Sequence, residues 1–429
     1  MFKIKQDNNF FYFTILLILS GPPILRDAVN QQFFSYQESR DIWLYFKIFS
    51  YIFIFIITLN YFLLNFKESI RFLKIDFLFF LIFFFFSLFA SYFSINPIYS
   101  ILYLFLFITG FIFAISLSHK ILRLNIQLNE ILKFMLNVYL FLSLLTLILV
   151  YFYPERVGLL YISYDEIRIT GGKFINFKFI GFILFTISLH FYFNTKFKKK
   201  YFLIFLYSLL IIYLSKTRSL YIICFFTFFY YFFKFRIHTS QIKKNFFLIF
   251  LITGLLILYI LIFKQDLLFN VFTRNNTTDL FSFSGRPIIW KIGFDILYNE
   301  YFGIGLGNTQ AYLLNLGQIE YKGSYINFSN IGTFHNAYLE IIICCGVIGG
   351  SAFLLLIFNN YYWIFMNYKF LNSNYSYNES LTIMLLFTGA LSFGFTETYI
   401  FQPTYDTYGF LFFILSLIFS MKKLKFKLI

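Results

Sequence analysis

Apolar runs of about 18 or more residues recur along almost the whole chain, and each is long enough to cross roughly 30 Å of hydrocarbon as a helix. Inside lipid every backbone N–H and C=O has to find its partner within the protein, so runs of this length fold as α-helices. The chain is 60% hydrophobic and only 13% charged, more apolar surface than a soluble fold can cover. The expected fold is therefore all-α: a polytopic membrane protein forming a single integral membrane domain over residues 1–429. Spans are predicted near 10–25, 42–66, 75–95, 98–118, 131–153 and 174–194, then near 201–215, 219–233, 245–263, 337–358, 380–400 and 405–421. The first follows Lys3 and Lys5, but no small-residue cleavage site follows it, so it reads as an uncleaved span.

About twelve crossings put both termini on one side, and charge placement identifies that side. Lys67, Arg71 and Lys74 fall in the second connection, Lys120 and Arg123 in the fourth, and Lys196, Lys198, Lys199 and Lys200 in the sixth. Lys234, Arg236, Lys243 and Lys244 fall in the eighth, and Lys422, Lys423, Lys425 and Lys427 form the tail. All share a side with the N-terminus, which the positive-inside rule makes cytoplasmic. The net charge of +16 is thus an orientation signal, and nucleic acid is not needed as a partner to explain it. Cys224, Cys344 and Cys345 lie in apolar runs without metal-ligand spacing and read as small core residues.

The same orientation leaves one large outer connection, residues 264–336, expected as a large periplasmic loop within the domain. A loop far longer than about 15 residues carries structure or function of its own. "SGRPIIWKIGFDILYNEYFGIGLGN" offers Ser284 and Gly285 as cap residues and Pro287 in a first turn, with Ile288, Ile292, Ile296 and Tyr298 at near-helical spacing. An amphipathic helix against the outer membrane face is expected, then a tight turn at Gly303, Gly305 and Gly307 and a short helix near 308–316. "GIGLGN" lacks the Lys-Ser/Thr of a phosphate-binding loop and follows no strand, so it reads as a turn.

Polar chemistry gathers in these outer connections. Arg168 lies in "RITGGKFIN", and Arg286 lies in "SGRPIIW". Lys216 and Arg218 lie in "SKTRSLY" between two apolar runs that together exceed the bilayer at 1.5 Å per residue, so the chain turns there. Guanidinium groups stay charged and grip phosphate oxygens bidentately, and arginines in outer connections point to a shared anionic site. His335, in "GTFHNAYLE", closes the last of these connections, where an imidazole can be both solvated and fixed and can exchange a proton near neutral pH. Asn336 either orients that ring or caps the following span, and Glu340 stands one turn further on. Glu397 in "GFTETYIFQP" reads as a buried partner for an arginine or as a carrier's proton site.

The ordered set "SGRPIIW", "GIGLGN" and "HNAYLEIIICCGVIGG", with "RITGGKFIN" and "KTRSLY" upstream, resembles the O-antigen ligase and O-antigen polymerase superfamily of bacterial envelope enzymes. The resemblance runs over about 165–360 by motif. It implies a metal-independent, inverting membrane glycosyltransferase of the cytoplasmic membrane that needs no cofactor. Its donor is a glycan on undecaprenyl pyrophosphate. Its acceptor is a sugar hydroxyl of lipid A-core in the ligases, or the end of another lipid-linked repeat unit in the polymerases. Matched position by position, Arg218 and Arg286 hold the donor pyrophosphate, His335 activates or positions the acceptor hydroxyl, and Arg168 is a looser match; Lys216 and Asn336 join Arg168 as candidates for substrate binding. "KTRSL" departs from the commoner pattern, in which a small residue follows the arginine. The outer connections hold no D-x-D pair that would place a divalent metal beside a diphosphate. A lipid-linked oligosaccharide flippase is the rival from another class, but transporters gather their polar groups at the bilayer midplane, in repeated halves.

Overall fold

The computed structural model describes residues 42–152, 159–163, 166–169, 176–195, 198–215, 217–234, 286–321, 324–327, 333–368, 377–401 and 406–428. The predicted spans at 10–25 and 245–263, Lys216, His238 and all of 264–285, with Ser284 and Gly285, lie outside them. Helices dominate: α1 (Ile42–Leu64), α2 (Phe66–Phe72), α3 (Lys74–Tyr92), α4 (Pro97–Arg123), α5 (Leu128–Phe152), α6 (Phe177–Asn194), α7 (Lys199–Leu214) and α8 (Arg218–Lys234). They continue with α9 (Arg286–Asn299), α10 (Thr309–Leu316), α11 (Ala337–Asn367), α12 (Tyr377–Gly394), a 3-10 turn at Tyr399–Phe401, and α13 (Asp406–Leu428).

Five of these, α3, α4, α5, α6 and α11, are long and apolar enough to cross a membrane, or six if the pair Phe49–Leu64 and Phe66–Phe72, bent by 79°, is one span. The chain breaks between α7 and α8 where "SKTRSLY" demands it. Two short antiparallel hairpins were not expected: β1 (Leu159–Ser163) with β2 (Glu166–Ile169), and β3 (Gln318–Tyr321) with β4 (Ser324–Asn327). Both lie in connections, and among the described residues it is helices that run through the apolar core.

Asparagine starts several helices. Asn96 caps α4, with Pro97 at its first position, and Asn176 caps α6, each side-chain oxygen accepting an N–H that the first turn leaves orphaned. α4 and α6 are buried along most of their length, while α3 and α5 keep exposed faces with Leu81, Phe85, Phe141 and Ile148, as lipid-facing helices do. At one end of the bundle Lys422 pairs with the buried Asp76 at 2.8 Å, and Lys423 meets Glu68 at 2.9 Å and His119 at 2.5 Å. Asn359 and Asn360 donate to the other Asp76 oxygen at 3.0 and 2.9 Å. The start of α3, the middle of α11 and the ends of α4 and α13 are thereby locked together.

α11 runs longer than the sequence predicts and is broken at Gly346, whose φ is +73°. The glycine turn fills the break: Ile304 N and Gly305 N donate to the carbonyls of Ile343 and Cys344 at 3.1 and 2.9 Å, and Val347 N donates to Tyr301 O at 3.2 Å. Hydrogen bonds that a straight helix would make internally are made to "GIGLGN" instead. The approach needs glycine on both sides. A Cβ on Gly303 (φ +95°) would stand 2.3 Å from Gly346 N, and one on Gly346 would stand 2.5 Å from Phe302 O. Gly303→Ala is expected to cost the left-handed penalty of about 1–2 kcal/mol and the clash besides. Its check is the midpoint of thermal unfolding in detergent; an unchanged midpoint contradicts the brace.

Candidate functional site

At the other end of the bundle, α11 starts and its first turn is shaped by two polar residues. Asn336 accepts hydrogen bonds from Tyr338 N at 3.0 Å and Leu339 N at 3.1 Å, so of its two expected roles it takes the cap. Glu340, buried, accepts from Thr309 Oγ1 and, at 3.1 Å, from Phe334 N. Trp290 Nε1 on α9 donates to Phe334 O at 3.0 Å. Both polar groups of Phe334's main chain are thus held, and its ring is fully buried with Ile292, Ile296, Ile304, Leu313, Leu339 and Ile343. The face of α9 predicted from Ile288, Ile292 and Ile296 is the packed one, whereas Tyr298 is 90% exposed and does not belong to it.

Clamping Phe334 leaves the next residue no freedom, and His335 sits in the left-handed region at φ +51°. Strain of this kind at a non-glycine residue persists only where the surroundings impose it, and it concentrates at functional sites. Burial lowers the His335 pKa from its ordinary value; Glu397 opposes this, and the charges of Arg286 and Lys178 lower it further. Glu397 lies in the turn after α12, and Lys178 in the first turn of α6. The two make a buried ion pair. Arg286 and His335 also lie within electrostatic range of the Glu397 carboxylate. The partner of Glu397 is therefore a lysine, with Arg286 in electrostatic range, rather than the arginine alone that the sequence suggests.

Four charged or titratable residues, Lys178, Arg286, His335 and Glu397, thus converge from α6, α9, the segment before α11 and the segment after α12. Of the residues predicted for the site, Arg286, His335 and Asn336 come together. Arg218 is the first residue of α8, its side chain outside the described residues. Its neighbour Ser219 and Glu397's neighbour Thr396 line one cleft, so position 218 lies at the same end. That cleft, of about 750 Å³, runs between α8, α11 and α12 and is lined mainly by apolar groups such as Ile222, Phe226 and Phe365. Arg168, paired in β2 with Leu160, also has its side chain outside the description, and its hairpin packs on α7. Lys178 was missed from the sequence, although a lysine inside an apolar run is a signal in itself.

The described geometry defines a helical membrane protein with a cationic, histidine-bearing site at one end of its bundle. Residues 203–354 match the O-antigen ligase family model, which supports placing the chain in the O-antigen ligase and polymerase superfamily. The match spans α7 to the first half of α11, including Arg218, Arg286, His335 and Asn336, but neither Lys178 nor Glu397. This is a family of membrane glycosyltransferase-type enzymes acting on lipid-linked glycans. No curated protein matches the chain.

A histidine that must be neutral to take a proton loses activity as acid charges it. With His335 as that proton acceptor, the role proposed below, burial that holds its pKa under the ordinary value places the midpoint of the acid limb of the rate profile below pH 6.5. Transfer measured in membranes from pH 4.5 to 8 checks this, and a midpoint above 6.5 contradicts the environment described.

Proposed function

We propose that the protein is an O-antigen ligase-like transferase, moving a glycan from undecaprenyl pyrophosphate to a sugar hydroxyl, lipid A-core in the first instance, at the outer face of the bacterial cytoplasmic membrane. The observation that carries the reading is the meeting of Arg286, Lys178 and Glu397 around a strained His335. Arg286 binds the pyrophosphate, together with Arg218 and, as the sequence suggests, Arg168 and Lys216; the apolar cleft beside Ser219 suits the lipid tail. His335 takes the acceptor proton as the acceptor oxygen bonds to the anomeric carbon. The bond from that carbon to the phosphate oxygen breaks on the opposite face, with inversion, and undecaprenyl pyrophosphate leaves with its charge matched by guanidinium groups in place of a metal.

About twelve crossings with both termini cytoplasmic and 264–336 outside fit this chemistry, since Lys234, Lys422 and Lys423 lie at helix ends opposite the one that carries His335. Deleting the gene and separating the envelope glycans tests the proposal. Lipid A-core without polymer, with lipid-linked polymer accumulating, is the expected result. A single repeat unit on the core makes the enzyme a polymerase instead, and lipid-linked units trapped inside the cell make it a flippase.

A further inference from the structure

A pocket of about 500 Å³ opens between the end of α3 and the segment joining α9 to the glycine turn. Phe93, Tyr301 and Phe302 contribute exposed rings, and Asn299, Glu300 and Tyr312 contribute polar groups. The rings are held in contact: Phe302 lies 5.3 Å from Phe89, which lies 4.8 Å from Phe93, and Tyr301 lies 5.6 Å from Phe302. Beside them Tyr312 OH donates to Glu300 Oε1 at 3.1 Å, fixing the carboxylate. No lysine or arginine among the described residues forms an ion pair with Glu300.

Exposed rings at a span's end are by themselves an interfacial belt that meets lipid. A carboxylate with no ion-pair partner among the described residues changes that reading, because it repels phospholipid phosphate and the donor's pyrophosphate alike. It accepts hydrogen bonds best from neutral hydroxyls, and aromatic faces, negative at their centres, receive the C–H side of a pyranose ring. We infer that this pocket is a subsite for a neutral sugar unit of the glycan substrate, an inference that rests on the transferase reading above. Its distance from the chemistry follows from α9: the helix has 14 residues, so about 20 Å separates Arg286 from Asn299 and Glu300. The ring bound here is therefore several units away from the bond being made. Binding at such a distance holds the polymer in place and governs affinity for the glycan, leaving the reacting groups as they are.

The test places a photoreactive benzoylphenylalanine at position 302 or 312 in cells and probes the crosslinked protein for glycan. Glycan-bearing adducts are expected. In parallel, Glu300→Ala in nanodiscs, supplied with lipid-linked glycan extracted from the deletion strain, is expected to raise KM about tenfold with kcat unchanged, the size of one lost charge-assisted hydrogen bond. Glu300 is exposed, so the variant folds. Adducts with phospholipid only, or an unchanged KM, overturn the subsite. If the deletion strain shows its glycan phenotype at the same time, the transferase reading stands without the subsite; if it shows none, both fall.

Discussion

His335→Ala and Arg286→Ala are each expected to lower glycan transfer by at least about 100-fold, with both variants inserted into membranes at wild-type levels. The magnitude is that of removing a general base or one donor to developing charge. In the proposed mechanism His335 acts through its ring, while the Phe334 backbone beside it is held by Trp290 and Glu340, so truncation removes the proposed chemistry and leaves the clamp intact. Alanine at 335 still has to adopt φ +51°, at a cost of about 1–2 kcal/mol, so His335→Asn, which tolerates that region better, is the matched control. Arg286 begins α9 and is half-buried, so its loss leaves the helix standing on Ile292 and Ile296. Envelope glycan profiles in a deletion strain complemented with each variant, beside immunoblots of the membrane fraction, provide the measurement. Wild-type glycan in both variants removes these residues from the site.

Sequence alone reached the helices and one side of the site, for a physical reason. Apolar runs in lipid have a single way to satisfy their backbone, so ten of the predicted spans appear as helices in the described residues. Polar residues stranded at the ends of such runs are conspicuous against so apolar a background, which singled out Arg286, His335 and Asn336. Tertiary pairing was not legible. Lys178 and Glu397 are 219 positions apart and meet only when α6 and α12 pack together. The break in α11 was hidden as well: Gly346 reads as one more small residue in "CCGVIGG" until "GIGLGN" docks on it. The left-handed backbone of His335 depends on Trp290 and Glu340, one on either side of it in sequence, and no local pattern announces it.

That unforeseen pair supports the second large effect. The Lys178 and Glu397 side chains are each only 9% exposed, so removing one charge strands the other where water cannot solvate it. Lys178→Met leaves a buried carboxylate facing Arg286, which offsets part of the loss. Glu397→Gln leaves a buried ammonium without its carboxylate, within reach of a guanidinium charge, and is expected to be the worse, costing about 3–5 kcal/mol. Combining Lys178→Met with Glu397→Gln removes both charges and should recover most of the folded protein, because a neutral pair of similar volume avoids the desolvation cost. Transfer should not recover with it. Without Glu397 the one carboxylate among the described residues that opposes the charge of Arg286 at His335 is gone, and without Lys178 the cluster loses one of its positive charges. Size-exclusion profiles after heating, read beside transfer by the same preparations, separate the two functions. A double variant no more stable than Glu397→Gln would mean that the pair is not what couples these positions, and a double variant with full transfer would leave the pair a role in folding alone.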